Sequence, residues 1–346
     1  MGGIDWRMRS APALDPALDP APAPAVSLGL ALCLVLGLGS AGCAPQPAPA
    51  VGVAPPPGPA PTRPLCRLET KLASDLAPRD RTYPPGYWLT LLVDGYRASG
   101  EIPRPACDCL GERIQPAWDG CPSDRDPDPD PLPPRALTPS DVVVTSLGPD
   151  RRLVWAMIDH LADGEAQGPV AIAELVPKGI VVQVLGVLRA YPQNVSVRLE
   201  RVGPGSVLVA DGEFCDAGQI GEECVRAVRL LPVVGNRFVS GPMVDNAGAC
   251  LGRAFIPVRG AGTATRGDRY RVETLVTVRA DAVLLREQLA IEAEPQHPSS
   301  ARDSYVTRVQ ADRQVSLRGG QLVASGPSLL SRWMAPRGSQ GSLAKP

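Results

Sequence analysis

The stretch QVSLRGGQLVAS, residues 314–325, decides the fold class. Gly319 and Gly320 separate two segments in which apolar and polar residues alternate. Glycine adopts the positive φ angles of a two-residue turn at little cost, so the pair predicts a β-hairpin. The turn sets Leu317 opposite Leu322 on one face of the hairpin.

The pattern upstream, from Asp141 onward, is also rich in strands. SVRLERV (196–202) and RYRVETLVTVR (269–279) alternate apolar and polar residues, as half-buried strands do. Gly235-Asn236, between two apolar segments, predicts a second hairpin.

The segment AVLLREQLAIEA (282–293) contains good helix formers. Its apolar residues nevertheless occupy alternate positions, as in a strand, and Glu287 is the one charged residue among those positions. We therefore predict a strand there. Several long strands joined by short turns indicate a mainly β fold, an antiparallel β-sandwich or barrel.

The part of the chain before this β-rich domain carries two further signals. YWLTLLVDGY (87–96) is the one strand candidate of a small cysteine-containing region. In SDRDPDPDPLPP (123–134), four aspartates alternate with other residues and faintly resemble a calcium loop. An EF-hand loop needs Gly and Glu at fixed positions where this chain has Pro129 and Arg135, so we interpret the segment as an acidic linker.

Near the N-terminus, VSLGLALCLVLGL (26–38) is an apolar stretch too short to span a bilayer but long enough for the core of a signal peptide. Small residues at 39–42 and then Cys43 follow. This arrangement resembles the lipobox of bacterial lipoproteins. The resemblance implies that Cys43 is lipidated and becomes the new N-terminus, and that Ala44 after it directs the protein to the outer membrane. The alternative is an ordinary secretory signal, with Cys43 as a disulfide partner in a periplasmic or secreted protein.

A proline-rich segment follows the lipobox. Nine of the 21 residues from Ala44 to Pro64 are Pro, a composition that favours an extended polyproline conformation. At about 3.1 Å per residue, the segment would reach on the order of 65 Å. It is therefore suited to hold a folded body away from a membrane.

The remaining cysteines are expected to form disulfides, because export places them in an oxidising compartment. Cys215 and Cys224 bracket a polar loop and are expected to bridge it, whereas Cys250 is the odd thiol, free or paired outside its set. The other four candidates allow three connectivities and fit a zinc site poorly; they are Cys66, Cys107, Cys109 and Cys121.

The charge balance and the missing motifs exclude several function classes. Without residues 1–42 the chain has 33 basic and 33 acidic residues, which argues against a nucleic-acid partner. We predict no metal, no cofactor and no enzymatic activity. The remaining catalytic option is a hydrolase that uses His160, beside Asp159 and near Asp163; it requires a Ser, Cys or carboxylate within reach of the ring.

The expected partner is thus the membrane, reached through a lipid anchor, with an envelope protein or an apolar ligand as a further possibility. A carrier role is suggested by GIVVQVLGVLRAY (179–191), which could line a cavity. The sequence divides into a signal peptide at 1–42, a Pro-rich tether at 43–65, a cysteine-containing region at 66–121, an Asp/Pro linker at 122–140, a β-rich domain at 141–334 and a disordered tail at 335–346.

Overall fold

The computed structural model describes residues 64–69, 83–97, 99–115, 119–122, 131–215, 224–263, 268–292 and 306–334. By its contacts the chain divides into Met1–Pro57 and Gly58–Pro346, and every described residue lies in the second unit. The predicted signal peptide with Cys43, most of the tether, the aspartate run and the C-terminal tail lie outside the described residues.

The described residues form seventeen strands, two α-helices and a 3₁₀ turn at Pro139–Asp141. The helices are α1 (Pro85–Leu92) and α2 (Leu329–Met334). The strands are β1 (Cys66–Glu69), β2 (Val142–Ser146), β3 (Arg151–Ala156), β4 (Asp159–His160), β5 (Ala166–Val176), β6 (Gly179–Ala190), β7 (Gln193–Val202), β8 (Gly205–Phe214), β9 (Val225–Val234), β10 (Arg237–Phe238), β11 (Pro242–Val244), β12 (Cys250–Arg253), β13 (Phe255–Thr263), β14 (Arg269–Val278), β15 (Val283–Glu292), β16 (Val306–Arg318) and β17 (Gln321–Ala324).

The strands pair in two sets. The front sheet has the order β2–β3–β5–β6–β1, with β4 paired to the end of β5. The long sheet has the order β7–β8–β9–β13–β14–β15–β16–β17–β11–β12. The two-residue β10 pairs with both β6 and β9 and joins the two sets. The mainly β, mostly antiparallel fold class is therefore confirmed, with parallel pairing only at β10–β6 and β11–β17 among the described strands.

The long sheet folds back on itself, so that β7–β9 form a middle layer between the front sheet and an outer layer of β14–β17. One core lies between the front sheet and the middle layer and includes Trp155, Leu188 and Leu208. A second lies between the middle and outer layers and includes Val209 and Leu285. The packing is that of stacked layers, the sandwich alternative of the predicted fold class.

Both predicted hairpins are confirmed. Gly319 and Gly320 have φ angles of 57° and 83°, and Leu317 pairs with Leu322 across the turn. Gly235, with φ of 60°, turns the chain from β9 into β10.

The predicted strand over 282–293 is also confirmed, and its parity break has a physical cause. Glu287 points inward with the apolar residues of β15 and is 3% exposed. Its Oε1 accepts hydrogen bonds from Arg313 Nε at 3.0 Å and Nη2 at 2.7 Å. Its Oε2 accepts the backbone N–H of Leu329 at 2.7 Å. A buried carboxylate is tolerated here because it is paired, and it fastens the start of α2 to the sheet.

The predicted strand over 87–96 is wrong, because most of that stretch belongs to α1. Pro85 fits the first helical turn, where its missing N–H has no role. The helix buries Trp88 and Leu92 against the front sheet on the face away from the middle layer. At eight residues its apolar pattern satisfies both strand and helix periods, and packing decides between them.

The structure contains three disulfides, Cys66–Cys109, Cys121–Cys250 and Cys215–Cys224. The third is the bridge expected across the polar loop. The second pairs a member of the N-terminal set with the odd thiol, over a sequence separation of 129.

Cys107 was also a disulfide candidate, and the structure corrects that expectation: it is a free thiol. Cys109 is joined to Cys66 because β1 adds to the edge of β6 and brings Cys66 beside it. Cys121 is joined to Cys250. Among the described cysteines none is left for Cys107.

We expect Glu287→Ala to lower the free energy of unfolding by about 3–5 kcal/mol, because Arg313 then remains buried without its partner. Urea unfolding monitored by circular dichroism measures this. Glu292→Ala, on the exposed face of the same strand, is the control and is expected to change stability by less than about 0.5 kcal/mol. Equal, small effects of both changes would contradict the role assigned to Glu287.

The disulfides Cys121–Cys250 and Cys215–Cys224 close loops of very different length, so we expect them to contribute differently to the free energy of unfolding. From loop-closure entropy, removing Cys121–Cys250 by double serine substitution should cost about 5 kcal/mol, and removing Cys215–Cys224 about 3 kcal/mol. Thermal and urea unfolding of both variants test the order. Cys107→Ser is the control for loss of a thiol without loss of a bridge, and a larger effect from the shorter loop would reverse the prediction.

Candidate binding surface

His160 lies at the end of β4, next to a paired carboxylate. Its Nε2 is 2.8 Å from Arg135 Nη2 and 3.4 Å from Asp141 Oδ1. Burial opposes ionisation of Asp141, but hydrogen bonds from Arg135 and Thr138 outweigh it and lower the pKa of that carboxyl. Asp141 thus closes the 3₁₀ turn and holds Arg135, and the ring nitrogen faces a guanidinium. Asp141 is therefore the carboxylate within reach of the ring that the hydrolase hypothesis requires, but Arg135 and Thr138 already bind its oxygens, and this arrangement stabilises a loop.

The two aspartates near His160 in sequence have other partners. Asp159 binds Arg104, and Asp163 accepts a hydrogen bond from Arg189 at 2.6 Å. Neither orients the imidazole.

A buried ionic cluster lies at one end of the core between the front sheet and the middle layer. Glu165 accepts hydrogen bonds from Arg189 on β6 and from Arg229 on β9, the latter at 2.7 Å. Arg229 also pairs with Asp119. Burial, and the nearby carboxylates of Glu165 and Asp163, raise the pKa of Tyr191 to about 12. Each charge of this cluster has an opposite charge beside it, although the Nε of Arg229 is buried without a hydrogen bond to any described residue. We interpret the cluster as the connection between two layers.

The exposed charges of the outer layer are arranged differently. β13–β16 turn one face to the core and the other, here called the outer face, to solvent. The antiparallel register places Arg271 opposite Ala290, and Ala290 opposite Arg308. The two arginines therefore lie two strand spacings apart, about 10 Å, with only a methyl group between them. Arg269 lies two residues along β14 on the same face.

These three arginines are exposed and unpaired. Within the described ranges none of their guanidinium groups makes a hydrogen bond or an ion pair. They line a concavity of about 920 Å³. Its lining also includes two carboxylates and two amides; they are Glu273, Glu292, Gln288 and Gln310.

A second concavity of about 510 Å³ continues the outer face toward the other end of the strands. Leu275 lies in its wall and is 62% exposed, the highest value of the large apolar residues in the described regions. Arg286 and Asp312 flank it and pair with each other at 3.1 Å. This end of the outer face therefore combines an exposed leucine with an ion pair and with Arg279, which also lines the concavity.

The arginines of the outer face are groups that can bind an anion, and Glu292 lies directly opposite Arg269 across the two strands. A guanidinium group donates paired, charge-assisted hydrogen bonds to carboxylate, phosphate or sulfate oxygens. The sequence showed the alternating charges of β14 but not that Arg271 and Arg308 flank one alanine, because that depends on the register of three strands.

The strand that suggested a ligand cavity, Gly179–Ala190, is buried on both faces. Ile180 and Val182 pack against the α1 side of the front sheet, whereas Val184 and Leu188 pack toward the middle layer. It has no free face with which to enclose a ligand.

The chain matches no protein-family model, no curated protein and no solved structure. Neither described helix has the length and apolarity needed to cross a membrane. Across the described ranges, no three His, Cys, Asp or Glu side chains gather as metal ligands would.

We expect the protein to bind heparin, a sulfated polysaccharide used here as an anionic probe, at the outer face. The double variant Arg271→Ala/Arg308→Ala should weaken binding by about tenfold or more, since it removes charge-assisted hydrogen bonds on both sides of Ala290. Isothermal calorimetry at fixed salt measures this. The control is Arg151→Ala/Arg201→Ala, which removes two exposed arginines on β3 and β7. Equal weakening by both pairs would show that total charge, and not this surface, governs binding.

Proposed function

We propose that this chain is a non-catalytic, lipid-anchored protein of the bacterial cell envelope, whose layered β-domain has a binding role. The observation that carries the proposal is Cys43, which follows an apolar leader and precedes a proline-rich segment. Three disulfides in the folded part support an oxidising compartment. The resemblance of the leader favours the outer membrane.

The number of cysteines distinguishes the anchored protein from the secreted alternative. Six of the seven cysteines after Cys43 form disulfides, and Cys107 is left as a free thiol. If Cys43 carried no lipid, it would be available to pair with Cys107 and give an even set. With Cys43 acylated, Cys107 stays unpaired. The state of Cys107 therefore separates the lipoprotein from the secreted alternative.

The outer face is the surface we assign to binding. Its unpaired arginines and small alanines suit an anionic group on an envelope polymer or protein. The net charge of the chain beyond residue 42 is zero, so the attraction is local to this face. A non-catalytic role is supported by the chemistry of the face, which offers guanidinium and amide donors and no activated nucleophile.

Metabolic labelling with palmitate tests the anchor. We expect label in the wild-type chain and in Cys33→Ala, whose cysteine lies in the leader, but none in Cys43→Ala. Cys43→Ala should also move from the membrane to the soluble fraction, because a single change removes all acyl chains.

Mass spectrometry after thiol alkylation completes the test. We expect Cys107 to be alkylated without reduction and residue 43 to be the acylated N-terminus. A Cys43–Cys107 disulfide, or retention of Cys43→Ala in membranes, would overturn the anchor.

A further inference from the structure

β2 is an edge strand without the usual protection. Its sequence, VVVTS, contains no charge, proline or glycine, and among the described strands it pairs only with β3. Val144, at its centre, is 43% exposed. Edge strands of soluble proteins are normally protected by charges, bulges or proline, because an unprotected edge pairs with other chains.

The other edges of the described sheets are protected. β1 carries Arg67 and Glu69 on four residues. β7 carries charged residues in its second half and has an irregular register between Gln193 and Ser196. β12 is held by the disulfide at Cys250 and pairs with β11 across a bulge. Protection is missing specifically at β2.

The hydrogen-bond parity of the β2–β3 pair shows which backbone groups point outward. Leu147 N–H donates to Arg151 at 3.0 Å, and Met157 N–H donates to Asp141 at 2.7 Å. In an antiparallel pair such bonds recur at alternate residues, so Val143 and Thr145 face β3. The N–H and C=O groups of the three alternate residues therefore point away from the sheet; these residues are Val142, Val144 and Ser146. The N–H of Val142 is bonded within the chain to Pro139.

The described chain begins and ends away from this edge. It begins at Pro64, next to Leu65, whose N–H donates to Val182, and continues into β1 at the opposite edge of the front sheet. The segment before it has nine prolines in 21 residues, and proline cannot donate to a ladder. The described chain ends at Met334 in α2, which packs on the outer layer.

We propose that β2 is a dimerisation edge, at which two copies of this chain pair antiparallel about a two-fold axis through Val144. β2 has five residues, and its central residue points outward, so the strand is its own complement. The Val144 N–H of each copy donates to the Val144 C=O of the other copy. The Ser146 N–H of each copy donates to the Val142 C=O of the other copy. The strand is uncharged, so self-pairing meets no repulsion, and the two front sheets become one continuous sheet.

Disulfide trapping in intact cells tests this register. The full chain carries Cys107→Ser, which removes the free thiol. Adding Val144→Cys should then give a covalent dimer on a non-reducing gel, because Cα atoms about 5.5 Å apart in a hydrogen-bonded pair fall within disulfide range. Ser146→Cys alone should not, since the two Ser146 residues would lie about 14 Å apart along the strands. Val142→Cys with Ser146→Cys should cross-link again.

A proline substitution tests the backbone bonds. In the Val142→Cys/Ser146→Cys chain, Val144→Pro should reduce the covalent dimer by about fivefold or more, because it removes an outward N–H without touching the ladder to β3. Val144→Thr keeps the N–H and should leave the dimer unchanged. Thermal unfolding verifies that each variant is folded.

Three results would overturn the proposal. They are a folded Val144→Cys chain that remains monomeric, a Ser146→Cys chain that cross-links as well as Val144→Cys, and a dimer that survives Val144→Pro. A monomeric Val144→Cys chain would mean that β2 does not pair with a second copy of this chain. Equal cross-linking of Ser146→Cys would mean that the cysteines react in random collisions. None of them bears on lipidation of Cys43 or on the outer face.

Discussion

The structure depends on the burial of its middle layer on both faces. In β8, Val207 and Val209 point into one core and Leu208 and Ala210 into the other, and all four are fully buried. The backbone of this strand is paired on both sides, with β7 and β9. A polar side chain at any of these positions would be desolvated without a partner, so the segment must be continuously apolar. The two cores share this layer, so a change in it affects the packing of both.

The charged residues follow from the same constraint. Where a charge lies inside the layers it is paired, as Glu165 is with Arg189 and Arg229, and as Glu287 is with Arg313. Truncation of one partner is costly in such pairs, whereas their net contribution to stability is small. These clusters therefore specify how layers and α2 dock. The guanidinium groups of the outer face are the opposite case, because solvent already satisfies them and a ligand has only to replace water.

Sequence reasoning succeeded where a residue type allows one local structure. Gly319 and Gly320 permit a tight turn, and the side-chain period of two then fixes which residues face each other. It failed at α1, because the apolar residues of an eight-residue segment fit both periods and the packing of Trp88 on the front sheet decided the outcome. It could not pair Cys121 with Cys250, which are 129 residues apart and meet only after β12 has formed. The arginines beside Ala290 were hidden for the same reason: cross-strand register is a tertiary property.

The β1 edge, the β2 edge and the outer face lie at three different places on the fold. The chain enters through β1 at one edge of the front sheet, the unprotected β2 lies at the other edge, and the outer face belongs to a separate layer. A dimer formed through β2 would therefore leave both β1 entries and both outer faces accessible. In such a dimer, the two proposed anchors and the two proposed binding faces would raise the effective concentration of the second contact once the first has formed. A face with only a few unpaired arginines binds weakly by itself, so pairing through β2 would be the feature that makes such a face useful at an envelope surface.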